Sequence, residues 1–187
     1  MESKQDIRRN LLKKRNTLTE ELREKYSKMI ADHLFSSDQY IHSDILLIYA
    51  HYKSEVSTSE IIEQALYAGK RVFCPKVLGP GEMNFYEITS LKDIVSGYKN
   101  IPEPQYTEIS YQNSENSSTL MIMPLVGYDC YKNRLGYGGG FYDRYLQKVS
   151  NIKKIALAFE CQKSENAIPV EETDIKPDFI ITEQQIY

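Results

Sequence analysis

The stretch that decides the fold covers Ile45–Cys74 and reads ILLIYAHYKSEVSTSEIIEQALYAGKRVFC. Its first five residues, Ile45–Tyr49, form a continuous apolar run, which is typical of a strand buried on both faces. Apolar side chains then recur at helical spacing over residues 61–68, until Gly69 ends the pattern. A second short run, Arg71–Cys74, follows. Strand, helix and strand within about 30 residues predict a βαβ unit, whose crossover makes the two strands parallel.

Two local features predict where these elements begin and end. Ser57-Thr58-Ser59-Glu60 has the spacing of a capping box, so we expect a side-chain cap at the start of the helix. Pro75 has no backbone N–H to give to a neighbouring strand, so we expect it to close the second strand.

Apolar runs and helical periodicity alternate along the rest of the chain. The predicted elements are two helices within residues 1–36, the second capped by Thr19, an antiparallel strand near an edge at Met83–Ile88, a buried strand at Thr119–Met123, a helix over residues 139–149, and strands at Lys154–Phe159 and Phe179–Thr182. This order predicts an α/β fold, a three-layer sandwich around a mostly parallel sheet, Rossmann-like but without the dinucleotide fingerprint.

One domain over residues 1–187 is expected, because no repeat or second unit is visible in the sequence. Asn100–Ser118 is rich in Pro, Ser, Asn, Gln and Tyr. We expect it to be an ordered surface excursion that ends in a mobile tip and adds nothing to the core.

The composition excludes several classes of protein. The chain has 26 acidic and 23 basic residues and a net charge of -3, which argues against a general grip on nucleic acid. No apolar run is long enough to span a membrane, and the basic N-terminus lacks the apolar region of a secretory signal. The three cysteines form no C-x-x-C pair. We expect a cytoplasmic monomer with ordinary reduced thiols.

The feature richest in chemistry is RLGYGGGFYDR, Arg134–Arg144, which holds four of the nine glycines within five residues. A glycine-rich turn before a helix suits an anion, because unpaired N–H groups at the helix start point at the turn and glycines let phosphate come close. The P-loop and dinucleotide patterns both fail here: no Lys-Ser or Lys-Thr follows, and Phe141 stands where the dinucleotide pattern needs glycine.

The residues around these glycines favour a nucleotide phosphate over a plain flexible turn. Arg134 and Arg144 offer guanidinium groups that match phosphate oxygens, and Asp143 offers a carboxylate suited to magnesium.

Extended by two residues, RLGYGGGFYDRYL is similar to the signature of the 5-formyltetrahydrofolate cyclo-ligase family, also called methenyltetrahydrofolate synthetases. Further segments typical of the family occur in its order: Lys-x-x-x-Arg at 4–8, Ser-Glu-Val at 54–56, Ile-Pro-Glu-Pro at 101–104, Ala-Leu-Ala-Phe-Glu at 156–160 and Ile-Pro-Val-x-x-x-Asp at 168–174. The resemblance covers nearly the whole chain.

The resemblance implies an ATP- and Mg²⁺-dependent ring closure. Family members convert 5-formyltetrahydrofolate to 5,10-methenyltetrahydrofolate, and ADP and phosphate are released. Phosphorylation of the formyl oxygen gives an iminium phosphate that the neighbouring anilino nitrogen attacks before phosphate leaves. The work left to the protein is positioning and charge neutralisation.

The resemblance also implies site residues. The ATP contacts would be Lys4, Gln5, Asp6, Ile7, Arg8, Arg134, Leu135, Gly136, Tyr137, Gly138, Gly139, Gly140, Phe141 and Tyr142. The folate contacts would be Ala50, Glu55, Tyr137, Gly138, Gly139, Gly140 and Phe141. Asp143 and Asp174 would be the magnesium carboxylates, with Arg134 and Tyr142 at the reacting centre. Residues 1–36 would thus carry part of the ATP site. Tyr142 could orient the formyl group or only wall the site.

Three of these assignments also have physical support. Lys4 and Arg8 lie four residues apart, so a helix would place them on one face, which could equally be a solvated basic surface. Glu55 follows the first strand, where open α/β sheets bind ligands, and its carboxylate can accept pterin N–H groups. Asp174 would otherwise be taken for part of an acidic surface loop with Glu171 and Glu172.

The chain departs from the family pattern at two positions. Asn133 stands where glycine is frequent, and asparagine tolerates the left-handed backbone of a tight turn. Gly139 stands where some members have lysine, so Lys4, Arg134 and Arg144 would have to neutralise the phosphate charge.

Two other functions stay open on the sequence alone. An α/β sheet with a glycine turn would also suit a sugar-phosphate isomerase or a CoA-transferase-like enzyme. A basic first helix would suit a non-catalytic protein that binds folate or RNA. The substrates favoured here are ATP and 5-formyltetrahydrofolate, with or without a polyglutamate tail, and no nucleic acid or membrane.

Overall fold

The computed structural model describes residues 2–114 and 117–187. The α-helices within these ranges are α1 Lys4–Asn16, α2 Glu20–Phe35, α3 Asp38–Ile41, α4 Ser59–Tyr67 and α5 Phe141–Leu146. The strands are β1 Ile45–Ile48, β2 Arg71–Gly79, β3 Glu82–Ile88, β4 Ile94–Ser96, β5 Pro102–Pro104, β6 Thr119–Met123, β7 Gly127–Tyr128, β8 Arg134–Leu135, β9 Lys153–Leu157 and β10 Phe179–Ile181. Short 3₁₀ helices cover Leu91–Asp93, Tyr98–Asn100 and Glu160–Gln162.

The main sheet has the strand order β10-β9-β6-β1-β2-β3. Its strands run parallel except β3, which is antiparallel to β2 at the edge, as predicted. Ile45 pairs with Arg71 across the β1–β2 ladder, so the βαβ prediction is confirmed. β4–β5 and β7–β8 form two small antiparallel ribbons outside this sheet.

Apolar side chains fill both faces of the sheet. Leu46 and Ile48 belong to a cluster that α2 and α4 cover, whereas Leu47 belongs to a cluster that includes Tyr145 of α5. Alternate residues of one strand point to opposite faces, so a strand with helices on both sides must be apolar throughout. The fold is therefore the expected α/β sandwich around a mostly parallel sheet.

The start of α2 is as predicted, but the start of α4 is not. Thr19 caps α2 by accepting a hydrogen bond from the Leu22 N–H. Thr58 precedes α4 without capping it. Its buried hydroxyl instead donates to the Tyr49 carbonyl at 2.8 Å and accepts from the His51 N–H. The capping-box prediction is wrong because the helix begins at Ser59, one residue later than a box from Ser57 to Glu60 requires, and the hydroxyl of its N-cap residue, Thr58, bonds the end of β1.

Pro75 does not close β2, which continues to Gly79 and pairs Pro75 with Phe85 of β3. The pairing of β2 with β1 ends at Phe73. Beyond that residue β2 has a neighbour in the sheet on one side only, where a missing N–H is tolerated.

The excursion at residues 100–118 contributes to the core, contrary to expectation. Tyr111 is buried, and its ring lies 5.7 Å from that of Phe73. Glu103 is also buried and accepts a hydrogen bond from the Val77 N–H. Residues 115 and 116, part of the expected mobile tip, lie outside the described residues.

The chain between β6 and α5 positions the glycine-rich loop. The sequence predicted strand, loop and helix, but the hairpin β7–β8 comes between, and the loop leaves from β8. The helix expected over residues 139–149 is shorter and covers Phe141–Leu146. None of the helices in the described part of the chain is long and apolar enough to cross a bilayer.

Candidate active site

The β7–β8 hairpin fixes the start of the glycine-rich loop. Buried Asp129 accepts hydrogen bonds from the N–H groups of Tyr131, Asn133 and Ile168, and from the Asn133 side-chain amide. The left-handed residue of this turn is Lys132, with φ 60°, so the role expected of Asn133 is wrong. Asp129 thus joins the hairpin that leads into the loop to the segment that leads to Asp174.

Helix α1 packs against this hairpin through a separate apolar cluster. The cluster consists of Ile7, Leu11, Val126, Leu135 and Ile168. The side chains of Ile7 and Leu135 therefore lie in the core, and ATP could reach these two residues through the main chain only. Sequence resemblance alone does not separate side chains that face a ligand from those that hold its loop.

The same packing brings the polar face of α1 against the loop. Arg8 Nε donates to the Gly136 carbonyl at 2.8 Å. Gly138 has φ 92°, and a Cβ added there would lie 3.5 Å from the Arg8 guanidinium. Gly140, with φ 64°, precedes α5. These two backbone conformations favour glycine, and the first of them lies directly beside an α1 cation.

Lys4, one turn before Arg8 on the same face of α1, binds the acidic segment that contains Asp174. Its Nζ lies 2.6 Å from Asp174 and 2.9 Å from Glu171, which is the exposed surface charge that was expected. Burial opposes the charge of Lys4, but these two carboxylates outweigh it and raise its pKa. Burial likewise opposes the charge of Asp174, but hydrogen bonds from Lys4 and the Glu171 N–H lower its pKa.

Asp143 and Asp174 are suited to bind magnesium together with phosphate oxygens. Asp143 Oδ1 accepts from Arg134 at 2.8 Å and from the Ile175 N–H at 3.1 Å. Asp174 likewise uses one oxygen, Oδ2, for its hydrogen bonds within the described part of the chain. Each carboxylate thus keeps an oxygen for a hard cation. The described residues contain no cluster of three His, Cys, Asp or Glu, so other ligands would have to come from phosphate and water.

Arg134 and Tyr142 bring two unsatisfied polar atoms to the loop. The Arg134 side chain is 5% exposed, and its Cζ lies 5.8 Å from the centre of the Tyr142 ring. Arg134 Nε and the Tyr142 hydroxyl are buried without a hydrogen-bond partner among the described residues. Burial raises the pKa of Tyr142, so its hydroxyl keeps its proton and can donate. Unpaired buried donors are costly and suit a ligand that supplies acceptors.

Glu55 lies beyond the end of β1 and contacts the loop at Tyr137. Its Oε1 accepts from the Tyr137 hydroxyl at 2.5 Å, and its Oε2 accepts from the Tyr52 N–H at 2.8 Å. Burial raises the pKa of Glu55 despite these two bonds. Ala50, at the end of β1, is 9% exposed and can only shape the pocket wall. Tyr137 thus connects the glycine-rich loop to the residue expected to bind folate.

Two arginines behave differently from the sequence interpretation. Arg144 is turned to backbone carbonyls, those of Gly81 and Gly139, and therefore holds the loop in place. Arg15 is not among the predicted site residues, yet it is buried and donates to the Tyr137 hydroxyl. Its spacing of seven residues from Arg8 would have placed it on the same helix face.

The assigned residues therefore fall into two groups according to the loop residue that they contact. Lys4 and Arg134 each bind a carboxylate, Asp174 and Asp143, and Arg8 binds the Gly136 carbonyl, whereas Glu55 binds the Tyr137 hydroxyl and Ala50 follows β1. Gln5 is exposed near the start of α1, and Asp6 bonds Ser3 and Arg9 there. Phe141 begins α5 and is partly buried against the core.

Comparison with known proteins identifies the family of the chain. A model of the 5-formyltetrahydrofolate cyclo-ligase family matches residues 1–183. The chain is 31% identical over 179 residues to the 5-formyltetrahydrofolate cyclo-ligase of Escherichia coli K12, covering 93% of this chain and 97% of that protein. It is 29% identical over 191 residues to the mouse 5-formyltetrahydrofolate cyclo-ligase, covering 97% and 94%.

Two solved structures are also similar. The 5,10-methenyltetrahydrofolate synthetase of Aquifex aeolicus superposes with a TM-score of 0.83 at 31% identity, covering 98% of this chain and 91% of that one. The synthetase of Mycoplasma pneumoniae gives a TM-score of 0.77 at 23% identity, over 97% and 99%, which supports the fold. The comparisons of sequence and of structure agree: the chain belongs to the 5-formyltetrahydrofolate cyclo-ligase family and is an enzyme of that family.

Proposed function

We propose that this enzyme converts 5-formyltetrahydrofolate to 5,10-methenyltetrahydrofolate with ATP and Mg²⁺, and releases ADP and phosphate. One observation carries the proposal. Adjacent residues of the glycine-rich loop have partners of opposite charge: the Gly136 carbonyl accepts a hydrogen bond from Arg8, and the Tyr137 hydroxyl donates one to Glu55. The loop would therefore lie between a cationic side suited to ATP phosphates and an acidic side suited to a pterin.

On the ATP side, three cations would neutralise the triphosphate. Lys4 and Arg8 reach the loop region from α1, and Arg134 comes from β8. Their present partners are carboxylates and backbone carbonyls, which phosphate oxygens can replace. The N–H groups at the start of α5 would add donors beside the glycines.

Asp143 and Asp174 would hold Mg²⁺ through the oxygens that make no hydrogen bond in the described part of the chain. When bound, the ion supplies neutralisation of the phosphate charge. Lys4 and Arg134 would then be released from their carboxylate partners and become available to phosphate.

On the folate side, Glu55 would accept hydrogen bonds from the pterin amino and ring N–H groups. Ala50 would pack against the ring, and residues 137–141 would place the formyl group where the phosphoryl group arrives. A polyglutamate tail would extend from the pocket mouth.

The proposed chemistry has two steps. The formyl oxygen attacks the γ-phosphorus of ATP, ADP leaves, and the formyl carbon becomes an iminium carbon bearing phosphate. The anilino nitrogen then attacks this carbon and loses its proton, and phosphate departs with the former formyl oxygen. Both nucleophile and acceptor are already in one molecule, so the enzyme acts by positioning and charge neutralisation.

Arg134 and Tyr142 are the residues we assign to the reacting centre. The Tyr142 hydroxyl is protonated and unpaired, so it can donate to the formyl oxygen or to the phosphate that replaces it. Arg134 would bind the transferred phosphoryl group through its unpaired Nε. We further propose that residues 1–187 act as one unit, as a monomer in the cytoplasm.

The test is a coupled spectroscopic assay. The purified enzyme is incubated with 5-formyltetrahydrofolate, ATP and Mg²⁺, while methenyl-folate absorbance and phosphate release are followed together. We expect equal amounts of both products, and no product when ATP is omitted or when EDTA is added. Folded enzyme that forms no methenyl-folate, or forms it without ATP, would refute the proposal.

A further inference from the structure

Arg15 is a buried cation that the proposed roles leave unused. It lies on α1 and is 4% exposed, and no carboxylate lies within ion-pair distance of it in the described part of the chain. Its Nη1 donates to the Tyr137 hydroxyl at 2.9 Å, and its Nε donates to the Ser54 hydroxyl at 3.1 Å. A buried charge is costly unless other groups stabilise it. Two neutral hydroxyl partners alone would not offset the cost of burying the Arg15 guanidinium charge.

The Tyr137 hydroxyl connects Arg15 to Glu55 through two hydrogen bonds. Arg15 donates to the Tyr137 oxygen, and the Tyr137 hydroxyl donates to Glu55 Oε1 at 2.5 Å. A cation that donates to a phenol makes the phenol a stronger donor in turn, because hydrogen bonds in a chain polarise one another. The second oxygen, Oε2, is held by the Tyr52 N–H, so the carboxylate is fixed at both ends.

The groups around Glu55 do not fully offset the rise in its pKa that burial causes. Tyr137 faces it from the loop, Tyr49 from the end of β1, Tyr142 from α5 and Arg15 from α1. Three of these are phenols whose pKa burial raises, so they stay neutral. Burial raises the pKa of Glu55, and the hydrogen bonds from Tyr137 and the Tyr52 N–H, together with the charge of Arg15, oppose that rise.

We propose that Arg15 is a positioning residue for folate recognition: through the Tyr137 hydroxyl it holds Glu55 ionised and oriented to accept pterin N–H groups. The inference rests on the proposed role of Glu55. Arg15 lies seven residues after Arg8 on the same side of α1, and Arg8 holds the neighbouring loop residue, Gly136. One helix therefore supports the ATP side and the folate side of the loop together.

The test measures kcat and KM for both substrates across pH in Arg15→Met. We expect KM for 5-formyltetrahydrofolate to rise about tenfold, because a hydrogen bond to a charged group is lost, while KM for ATP stays within about twofold. We also expect the acidic limb of kcat/KM for folate to move to higher pH. The sign follows from Glu55: without the cation its pKa rises further, so it takes up a proton, and stops accepting, at a higher pH than before.

Two further variants separate positioning from a general structural effect. Arg23→Met is the matched control. Arg23 lies on the neighbouring helix α2, is partly buried, and donates to the carbonyl of Leu18, which precedes that helix. The control variant should shift neither the pH limb nor KM for folate. Tyr137→Phe removes the connecting hydroxyl and should move the limb in the same direction. Arg15→Met added to Tyr137→Phe should then move it little further.

If Arg15→Met does not fold, Arg15→Lys provides the comparison, since it keeps the charge but loses the guanidinium fork. It should retain most of the wild-type pH limb and show a smaller rise in KM. Either of two results would overturn the proposal. The acidic limb of kcat/KM for folate could stay in place in Arg15→Met, or Arg15→Met could shift that limb equally in the wild-type and the Tyr137→Phe backgrounds.

Glu55→Gln shows which of the two proposals has failed. If it leaves KM for folate unchanged, the proposed role of Glu55 is wrong, and the inference on Arg15 falls with it. If Glu55→Gln raises KM and Arg15→Met does not, Glu55 keeps its role and only the inference on Arg15 is wrong.

Discussion

Gly138→Ala tests whether the backbone of the glycine-rich loop is held in the conformation described here. Gly138 has φ 92°, a region that residues with a Cβ rarely adopt. The added Cβ would lie 3.5 Å from the Arg8 guanidinium, which is an ordinary contact distance. The cost therefore comes from the backbone and not from a clash, and it amounts to about 1–2 kcal/mol.

The cost can be measured in two places. If the loop keeps its conformation, the free energy of unfolding falls by that amount, and Tm drops by about 2–8 °C for a protein of this size. If the loop relaxes locally, stability is regained, and ATP binding must restore the strained conformation. In that case kcat/KM for ATP falls by about 5–30-fold.

Thermal unfolding and ATP-saturation kinetics on matched glycine variants distinguish these effects. Gly69 also has a positive φ, 77°, and no atom lies within 4 Å of an added Cβ. Gly69→Ala should therefore lower Tm without changing kcat/KM, because Gly69 follows α4 and lies outside the candidate site. Gly79 has open space and no left-handed backbone, so Gly79→Ala should change neither quantity by much.

A Gly138→Ala enzyme that matches Gly79→Ala in both Tm and kcat/KM would refute the requirement for a positive φ at position 138. Such a result would mean that the loop has no conformational requirement at this position. A loss of Tm equal to that of Gly69→Ala with unchanged kcat/KM would mean that the variant loop keeps its conformation and that the whole cost falls on stability.

Three further predictions concern the carboxylates and the core. Asp174→Asn should raise the Mg²⁺ concentration needed for half-maximal rate. The control Asp178→Asn removes a similar ion pair, with Lys154, and should leave that concentration unchanged. Equal Mg²⁺ titrations of the two variants would contradict the metal assignment. Arg134→Met leaves Asp143 without its ion-pair partner and should cost about 3–5 kcal/mol in urea unfolding, with a loss of less than 1 kcal/mol counting against it. Leu11→Ala should cost about 2–5 kcal/mol, because Leu11 is buried in the cluster that joins α1 to β8; an unchanged urea midpoint would contradict this packing.

The fold could be predicted because its decisive patterns are local. Ile45–Ile48 is buried at every position, and such a continuous apolar run suits a strand covered on both faces. The two errors within the same unit have tertiary causes. Thr58 bonds the end of β1 instead of its own helix, and Pro75 is accommodated because β2 outlasts its neighbour β1. Propensity and capping rules do not include these neighbours.

The glycine-rich loop was recognisable, but the support of its backbone was not. Asp129 makes the hydrogen bonds that fix the hairpin before Arg134, and it also holds the Ile168 N–H, 39 residues away. Nothing in the sequence distinguishes this buried carboxylate from an exposed turn aspartate. Burial and partners depend on segments that meet only in the folded chain.

Helix α1 shows the same limit and explains how the site is assembled. Helical spacing correctly places Lys4, Arg8 and Arg15 on one side of the helix, but a basic face in solvent has the same spacing. What separates the two cases is the apolar contact of α1 with the hairpin that carries the loop. This contact brings the three cations to partners that lie far away in the sequence. Lys4 meets Asp174 over a separation of 170 positions, Arg8 meets Gly136 over 128, and Arg15 meets Tyr137 over 122. The cationic side of the loop and the support of Glu55 therefore depend on one event, the docking of α1.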